Sequence, residues 1–269
     1  AGTPGVAADV AIQGQRIAAV GALGSATATT EVDAKGLTVA PGFINMLSWA
    51  TESLIVDGRG QSDLRQGVTL EVFGEGWSMG PLNPAMKKEA LAQQSDYHFD
   101  IPWASLGEYL EHLQKRGISM NVASLVGATT VRIHELGYEN RAPTAAELES
   151  MQALVRNAMS EGALGVGASL IYAPGFYASA EEIEALSLAA AESGGGYMAH
   201  MRSEANRFNE SLDALIAVSR KTRQHAEVYH LKAAGRDNWP KMATAIAQIE
   251  KARAEGLSVS ANMYTYTAG

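Results

Sequence analysis

Residues 195–235 read GGYMAHMRSEANRFNESLDALIAVSRKTRQHAEVYHLKAAG. Two short apolar runs, at 195–199 and 226–229, flank a segment whose apolar residues recur at helical spacing. The residues on this i, i+4, i+7, i+8 stripe are Phe208, Leu212, Leu215 and Ile216. A strand, a helix and a second strand in this order predict a parallel βαβ unit.

The same alternation runs from Leu37 to the end of the chain, and it yields seven strand candidates. They are LTVAPGFINML (37–47), GVTLEVFGEG (67–76), SMNVASLVGA (119–128), ALGVGASLIYA (163–173), GGYMAHMR (195–202), AEVYHLKAAG (226–235) and LSVSANMYTY (257–266). A (β/α)₈ barrel of the TIM type needs eight strands to close. We therefore expect an α/β barrel truncated after about seven strands, in a chain that is a fragment of a longer protein.

An open doubly wound sheet is the rival fold, because it tolerates seven strands. Such a sheet usually carries a glycine-rich nucleotide loop after its first strand, and that loop is absent here. Residues 9–39 show short β-type runs with glycine turns and no helical period, which predicts part of a small β domain. The predicted boundary lies between residues 1–36 and an incomplete barrel at 37–269.

Two helices of the barrel carry readable start signals. Thr144 precedes Glu147 and Ser179 precedes Glu182, and each pair fits a capping box. The first helix then continues on an i, i+3, i+4, i+7 stripe, which suits a helix packed on a sheet. That stripe consists of Met151, Leu154, Val155 and Ala158.

Composition narrows the classes of partner. The formal net charge is -8, and no basic stripe of the kind that nucleic-acid backbones require is present. No apolar run approaches the roughly 18 residues of a membrane span. We expect a small-molecule partner, with no nucleic acid and no membrane, and leave oligomeric state open. The absence of cysteine excludes thiolate ligands but says little about the compartment. Localisation stays open: the cytoplasm is slightly favoured, and the periplasm is an alternative because we expect the true N-terminus to be missing.

His200 and His230 each follow an apolar strand and precede a short basic stretch. Catalytic groups of a parallel barrel lie at the C-terminal ends of its strands, and consecutive strands would place both imidazoles on one rim. This pattern favours two metal ligands over a pair of buried, hydrogen-bonded histidines. The other histidines show no ligand pattern and are interpreted as surface or capping residues. They are His98, His112, His134 and His225.

Glu75 ends the second strand candidate, between two glycines that let the backbone turn. Two histidines and one carboxylate form a common hydrolytic zinc set that leaves a fourth position for water. We predict Glu75 as the third ligand, and the alternative is a solvated or helix-capping turn residue.

Several residues near these ligands are candidates for contact with a substrate. Lys232 lies two residues past His230, so strand alternation would put its cation on the same side and match it to a substrate carboxylate. Tyr172 could donate to a substrate oxyanion or pack at the rim, and the same ambiguity holds for Tyr264 and Tyr266.

Arg202 and Glu204 lie two and four residues beyond His200, and two interpretations fit them equally. Either they bind substrate, or they pair with each other at a loop.

With these residues in view, the sequence resembles the N-acyl-D-amino-acid deacylases of the amidohydrolase superfamily from about Val10 onward. The matching segments are VAPGF (39–43), RQGVT (65–69), PTAAEL (143–148), EGALGVGASLIYAPG (161–175), AHMRSE (199–204), YHLKAAG (229–235) and NMYTYTAG (262–269). The resemblance implies a zinc-dependent hydrolase of N-acyl-D-amino acids, built as a barrel plus a small β-sandwich domain. It also implies that His200 and His230 hold a tightly bound zinc, and that Tyr172, Lys232 and Tyr264 contact substrate.

The chain departs from the family pattern in three places. Leu47, Ser48 and Trp49 stand where members usually carry a His-x-His pair, and Glu75 stands where they commonly carry a cysteine ligand. The general-base aspartate of the eighth strand would fall beyond Gly269, so this stretch alone is expected to be inactive. We therefore predict one zinc per chain. The alternatives are a non-catalytic amidohydrolase-like binding protein and a related dipeptidase or cyclic amidase.

Overall fold

The computed structural model describes residues 4–266, and the chain divides into two compact units, Ala1–Pro41 and Gly42–Gly269. In the first unit, β1 (Asp9–Gln13) and β2 (Arg16–Gly21) pair as an antiparallel hairpin. Gly14 permits the tight turn, because its φ of 61° is in the left-handed region. The assignment of 1–36 to a small β-sandwich domain and of 37–269 to the barrel stays a prediction.

The second unit contains parallel strands in sequential order, and each of the seven strand candidates contributes to them. They are β3 (Phe43–Asn45), β4 (Val68–Phe73), β5 (Asn121–Ser124), β6 (Val126–Gly127), β7 (Gly165–Ser169), β8 (Gly196–His200), β9 (Ala226–Val228) and β10 (Val259–Ala261). The third candidate is split at Leu125 into β5, which pairs with β4, and β6, which pairs with β7. The parallel α/β fold predicted from the βα rhythm is confirmed.

Helices separate the strands, as the βα rhythm predicts. They are α1 (Ser53–Val56), α2 (Gln61–Leu64), α3 (Pro84–Gln93), α4 (Leu106–Arg116), α5 (Ala128–Leu136), α6 (Ala145–Ser160), α7 (Ala180–Ala191), α8 (Phe208–Thr222) and α9 (Lys241–Ala254). The predicted stripe of α8 is buried along its whole length, and that of α6 is buried or half-buried. Within residues 4–266, none of these helices combines the length and apolarity needed to cross a membrane.

The two predicted capping boxes have different outcomes. Thr144 accepts from the Glu147 backbone, and Glu147 accepts from the Thr144 backbone, so the box at α6 is confirmed. At α7, Ser179 accepts from the Glu182 backbone, but the reciprocal half of the box is wrong. The Glu182 carboxylate instead pairs with Arg132 of α5 at 2.5 Å, and both side chains are buried. A buried cation outcompetes a backbone amide for this carboxylate.

The central strands β6 to β9 are buried on both faces, and their alternation separates two sets of apolar residues. Val166 and Ala168 of β7 face the large core shared with the helices. A smaller cluster lies on the opposite face of the strands, and it consists of Val72, Leu125, Met198 and Tyr229. His200 is two residues beyond Met198 on β8 and therefore projects on the side of this smaller cluster.

Candidate metal centre

His200 is the last residue of β8, where it is buried and in register with Ser169 of β7. His230 follows β9 by two residues and has a φ of 36°, which is uncommon for a residue with a side chain. Its backbone N–H donates to Asn262 Oδ1 at 2.7 Å, and Asn262 Nδ2 donates to Glu227 at 2.6 Å. The turn that aims the His230 ring is therefore held by side-chain contacts from β9 and from the residue after β10.

Glu75 is carried by a turn that crosses closely over the neighbouring strands. Gly74 and Gly76 have φ values of 104° and 76°, so both need the left-handed freedom of glycine. A Cβ on Gly74 would collide with the Leu125 carbonyl, and one on Gly167 of β7 would collide with the Gly74 carbonyl. The absence of side chains at these crossings lets the backbone bring the Glu75 carboxylate to the two histidines.

Three donor atoms converge at this rim. Glu75 Oε1 lies 2.9 Å from His200 Nδ1 and 3.2 Å from His230 Nε2, and the two nitrogens are 3.0 Å apart. All three residues are buried, and they are the group among the described residues that could hold a metal ion. Ligands about 2.0–2.2 Å from a tetrahedral zinc lie roughly 3.3 Å from one another, so a small contraction of such a set gives this spacing. The three predicted ligands are thus brought together.

The hydrogen-bonding pattern of these two nitrogens and the carboxylate oxygen is also compatible with a bound cation. With Nδ1 directed at the cluster, the ring hydrogen of His200 belongs on Nε2, which is buried and has no hydrogen-bond partner among the described residues. Three lone-pair-bearing atoms within 3.2 Å of one another can satisfy each other only partly through hydrogens. A metal ion would accept all three lone pairs, so the donor set fits the group.

Burial and hydrogen bonding within the cluster shift the pKa values of Glu75 and His230. Burial raises the pKa of the Glu75 carboxyl, but the hydrogen bonds with His200 and His230 outweigh this effect and lower the pKa to about 2. Burial lowers the pKa of His230, yet its hydrogen bonds to Glu204 and Glu75 raise the pKa to about 9. Glu75 is therefore ionised at neutral pH, as a metal-ligating carboxylate must be. His230 is protonated at this pH in the absence of an ion, so it must release a proton before Nε2 can offer its lone pair to a metal.

Glu204 belongs to the cluster, although the sequence offers two interpretations and neither includes His230. Its Oε1 is 3.0 Å from His230 Nδ1 and 2.6 Å from Lys232 Nζ. A carboxylate that accepts from the outer nitrogen of a ligating histidine fixes the ring and makes it a better donor. The only sequence signal for this role is the position of Glu204 four residues after His200, on the same strand end.

Trp49 is a second contact that sequence reasoning does not identify. Its indole Nε1 donates to Glu75 Oε2 at 3.0 Å, which is the carboxylate oxygen that the histidines leave free. Trp49 occupies one of the two positions of the missing His-x-His pair, and this substitution is the signal that could have drawn attention to it.

The predicted substrate residues lie at different distances from the cluster. The Tyr172 ring is edge-on to His200 at 5.2 Å, and Lys232 Nζ lies 5.6 Å from the centre of the Tyr264 ring. The Tyr266 ring lies 6.2 Å from that of Tyr264 and is largely exposed. The structure brings Tyr172, Tyr264 and Lys232 to the histidines, and their contact with substrate stays a prediction.

Arg202 points away from the cluster. Its guanidinium donates to the carbonyls of Phe176 and Ala178, both at 2.6 Å. The predicted pairing of Arg202 with Glu204 is wrong, because each side chain has its own partner. With its guanidinium engaged in the loop between β7 and α7, Arg202 is poorly placed for the substrate role that stays a prediction.

A cavity of about 630 Å³ opens beside Glu75. It extends from Trp49 and Glu75 toward α3 and the loop that follows α3. His200, His230 and Lys232 do not line it, so the cavity meets the cluster at the carboxylate.

No protein-family model matches the chain, but individual proteins are similar to it in sequence and structure. The chain is 33% identical to a D-aminoacylase of Alcaligenes xylosoxydans xylosoxydans, over 99% of this chain and 55% of the relative. A solved D-aminoacylase structure, whose binuclear metal center shows one-metal activation and second-metal attenuation, superposes with a TM-score of 0.89 at 32% identity. That match covers 99% of this chain and 56% of the other. The homologues of this chain are D-aminoacylases and N-acyl-D-glutamate deacylases, and its structural neighbours are D-aminoacylase amidohydrolases.

A second structure of the D-aminoacylase family contains a ligand at its site. The N-acyl-D-glutamate deacylase of Bordetella bronchiseptica, complexed with zinc and a phosphonate mimic of the tetrahedral intermediate, has a TM-score of 0.84 at 32% identity. The match covers 98% of this chain and 56% of that one. This chain therefore spans about half the length of the D-aminoacylase relatives it matches.

Proposed function

We propose that the protein to which this stretch of chain belongs is a zinc-dependent amidohydrolase that hydrolyses the linear amide bond of N-acyl-D-amino acids. The observation that carries this proposal is the convergence of Glu75, His200 and His230 within 3.2 Å of one another. A zinc ion held by these residues would supply Lewis-acid activation of water and of the amide carbonyl.

The chain's own residues would orient both the ligands and the substrate. Glu204 would keep the His230 ring in place through Nδ1 and restrain Lys232. The Lys232 ammonium would then exchange part of its contact with Glu204 for the carboxylate of the amino acid. Tyr172, at the edge of His200, would direct its hydroxyl at the oxygen on which charge develops.

We further propose one zinc per chain. A second metal ion bound in the family manner would need donors from the first strand. Leu47 and Trp49 supply no such donor, and the Trp49 indole hydrogen occupies the free oxygen of Glu75. Although a related D-aminoacylase has a binuclear center, this donor set supports one ion.

The test uses the complete protein, purified with zinc. We expect it to release the amino acid from N-acetyl-D-methionine faster than from the L enantiomer, and to contain one equivalent of zinc by elemental analysis. Loss of both zinc and activity in His200→Ala and His230→Ala would support the proposal. His98→Ala is the matched control, because His98 is exposed. A complete protein with zinc but no amidase activity would instead support a non-catalytic binding protein.

A further inference from the structure

The cavity beside Glu75 has a chemistry that differs from that of the Lys232 side of the cluster. Its described lining contains no lysine and no arginine. About half of its lining residues are apolar or aromatic, and the others are mainly uncharged Ser, Thr and Gln. The apolar wall includes Trp77, Met79, Leu82, Met86, Phe99 and Ile133. A carboxylate bound there would find no cation to compensate for its lost hydration, so this cavity disfavours anions.

The three carboxylates of the lining are each accounted for by another contact or by solvent. Glu75 is held by the histidines and Trp49. Glu89 accepts from the Tyr138 hydroxyl at 2.9 Å and from Gln93 at 3.0 Å. Glu52 is exposed at the start of α1. Their negative charge adds to the bias against an anionic ligand.

Lys232 lies on the opposite side of the cluster from this cavity. Its Nζ contacts His230 Nδ1 at 2.9 Å, whereas Glu75 contacts Nε2 of the same ring. A substrate that spans the cluster with its carboxylate at Lys232 must therefore direct its other end toward Glu75. In an N-acyl amino acid the side chain branches from the same carbon as the carboxylate, whereas the acyl group extends from the reacting carbonyl carbon at the cluster. The acyl group is therefore the part directed toward Glu75.

We propose that the cavity beside Glu75 is the acyl subsite, and that it selects uncharged, apolar acyl chains well beyond acetyl in length. The inference rests on the proposed amidohydrolase function. An acetyl group would leave nearly all of about 630 Å³ unused, and this volume lies within the range of roughly 300–1,000 Å³ that is usual for ligand pockets. Each methylene moved from water to the apolar wall is worth about 0.8 kcal/mol, or about fourfold in kcat/KM.

The experiment compares N-acetyl, N-butanoyl, N-octanoyl and N-succinyl derivatives of one D-amino acid on the complete zinc enzyme. We expect kcat/KM to rise from acetyl to octanoyl by at least about 100-fold, and the charged succinyl group to be poorer than butanoyl. Hydrolysis that is flat or falls with chain length would overturn the acyl subsite but leave the deacylase function standing. Hydrolysis of none of the derivatives would instead contradict the function itself.

A variant that fills the cavity with a larger side chain tests whether the preference for long acyl chains depends on this cavity. Ala90 lines it from α3, and Ala92 lies on the same helix, exposed and outside the lining. Ala90→Phe should narrow the octanoyl-to-acetyl ratio of kcat/KM by at least tenfold, whereas Ala92→Phe should leave that ratio at the wild-type value. Equal ratios in both variants would place the chain preference elsewhere.

A binding measurement keeps the proposal testable if Ala90→Phe does not fold. Trp49 and Trp77 both line the cavity, so their fluorescence reports its occupancy. Titration with N-octanoylglycine should change the emission of the wild-type protein and saturate at least about 100-fold more tightly than N-acetylglycine. Equal affinity for the two ligands would contradict the proposal.

Discussion

The Trp49 indole nitrogen donates to Glu75 Oε2 at 3.0 Å, so the carboxylate oxygen that the two histidines leave free already accepts a hydrogen bond. The indole N–H is a donor only and cannot itself ligate a cation. A single side chain thus holds the Glu75 carboxylate in place and supplies no donor of its own to a cation.

Restoring imidazoles at the first strand should therefore change the metal content. We expect the double substitution Leu47→His with Trp49→His to raise bound zinc from one to about two equivalents per chain, measured by elemental analysis after dialysis. The matched control is Trp77→Phe, which changes a tryptophan of the same cavity without contact to Glu75 and should keep one equivalent. Two equivalents in the unaltered protein would contradict the one-zinc proposal.

Asn262 should influence metal affinity without touching the metal. Its Oδ1 accepts from the His230 backbone, where the φ of 36° needs support from outside the residue. We expect Asn262→Ala to weaken zinc binding by roughly 10–100-fold, as other outer contacts of metal sites do. Competition with a chromophoric chelator measures the loss. Asn140→Ala is the control, since Asn140 is exposed, and an equal loss in both variants would rule out a positioning role.

Lys232 should act on substrates through their carboxylate. Charge-assisted hydrogen bonds contribute about 1.5–3 kcal/mol, so Lys232→Met should lower kcat/KM for an N-acyl-D-amino acid by roughly 10–100-fold. The effect should disappear when the substrate carboxylate is replaced by a carboxamide, because no charge then needs a partner. Lys221→Met, at an exposed lysine paired with Glu184, serves as the control. A similar loss with both substrates would mean that Lys232 acts on the ligands and not on the substrate.

The buried pair between Arg132 and Glu182 should dominate the effect of charge on stability. Both side chains are 1% exposed, so Glu182→Gln leaves an uncompensated buried cation and should cost about 3–5 kcal/mol in the free energy of unfolding. The exposed pair between Arg156 and Glu192 offers the comparison, and Glu192→Gln should cost about 0–1 kcal/mol. Urea unfolding at pH 7 measures both, and equal costs would show that burial does not control the difference.

Local periodicity explains what the sequence predicts well. The strand candidates and the apolar stripe of α8 can be recognised from the spacing of apolar residues within one element. The capping box of α6 can be recognised from Thr144 and Glu147, which are three residues apart. The convergence of the two histidines is also predictable, because His200 ends β8, His230 follows β9 by two residues, and parallel strands place their C-terminal ends at one rim.

The contacts that the sequence does not reveal join residues distant along the chain. The Glu182 carboxylate does not complete the capping box of α7, because it pairs with Arg132, which lies 50 residues earlier and is buried beside it. Trp49 reaches Glu75 and Asn262 reaches His230 only after the strands have assembled in register. The side-chain partners of a strand end depend on the tertiary fold, so spacing alone could not assign them.

The glycine crossings around Glu75 also limit how this centre can be redesigned. Side chains are excluded at Gly74, at Gly76 and at Gly167 by neighbouring strands, so a library of variants across this loop would mostly sample misfolded proteins. Position 75 differs, because its side chain is directed at His200, His230 and Trp49 and does not meet a neighbouring backbone atom at close range. An engineer seeking a softer or harder metal preference would therefore randomise this position alone and keep the surrounding glycines constant.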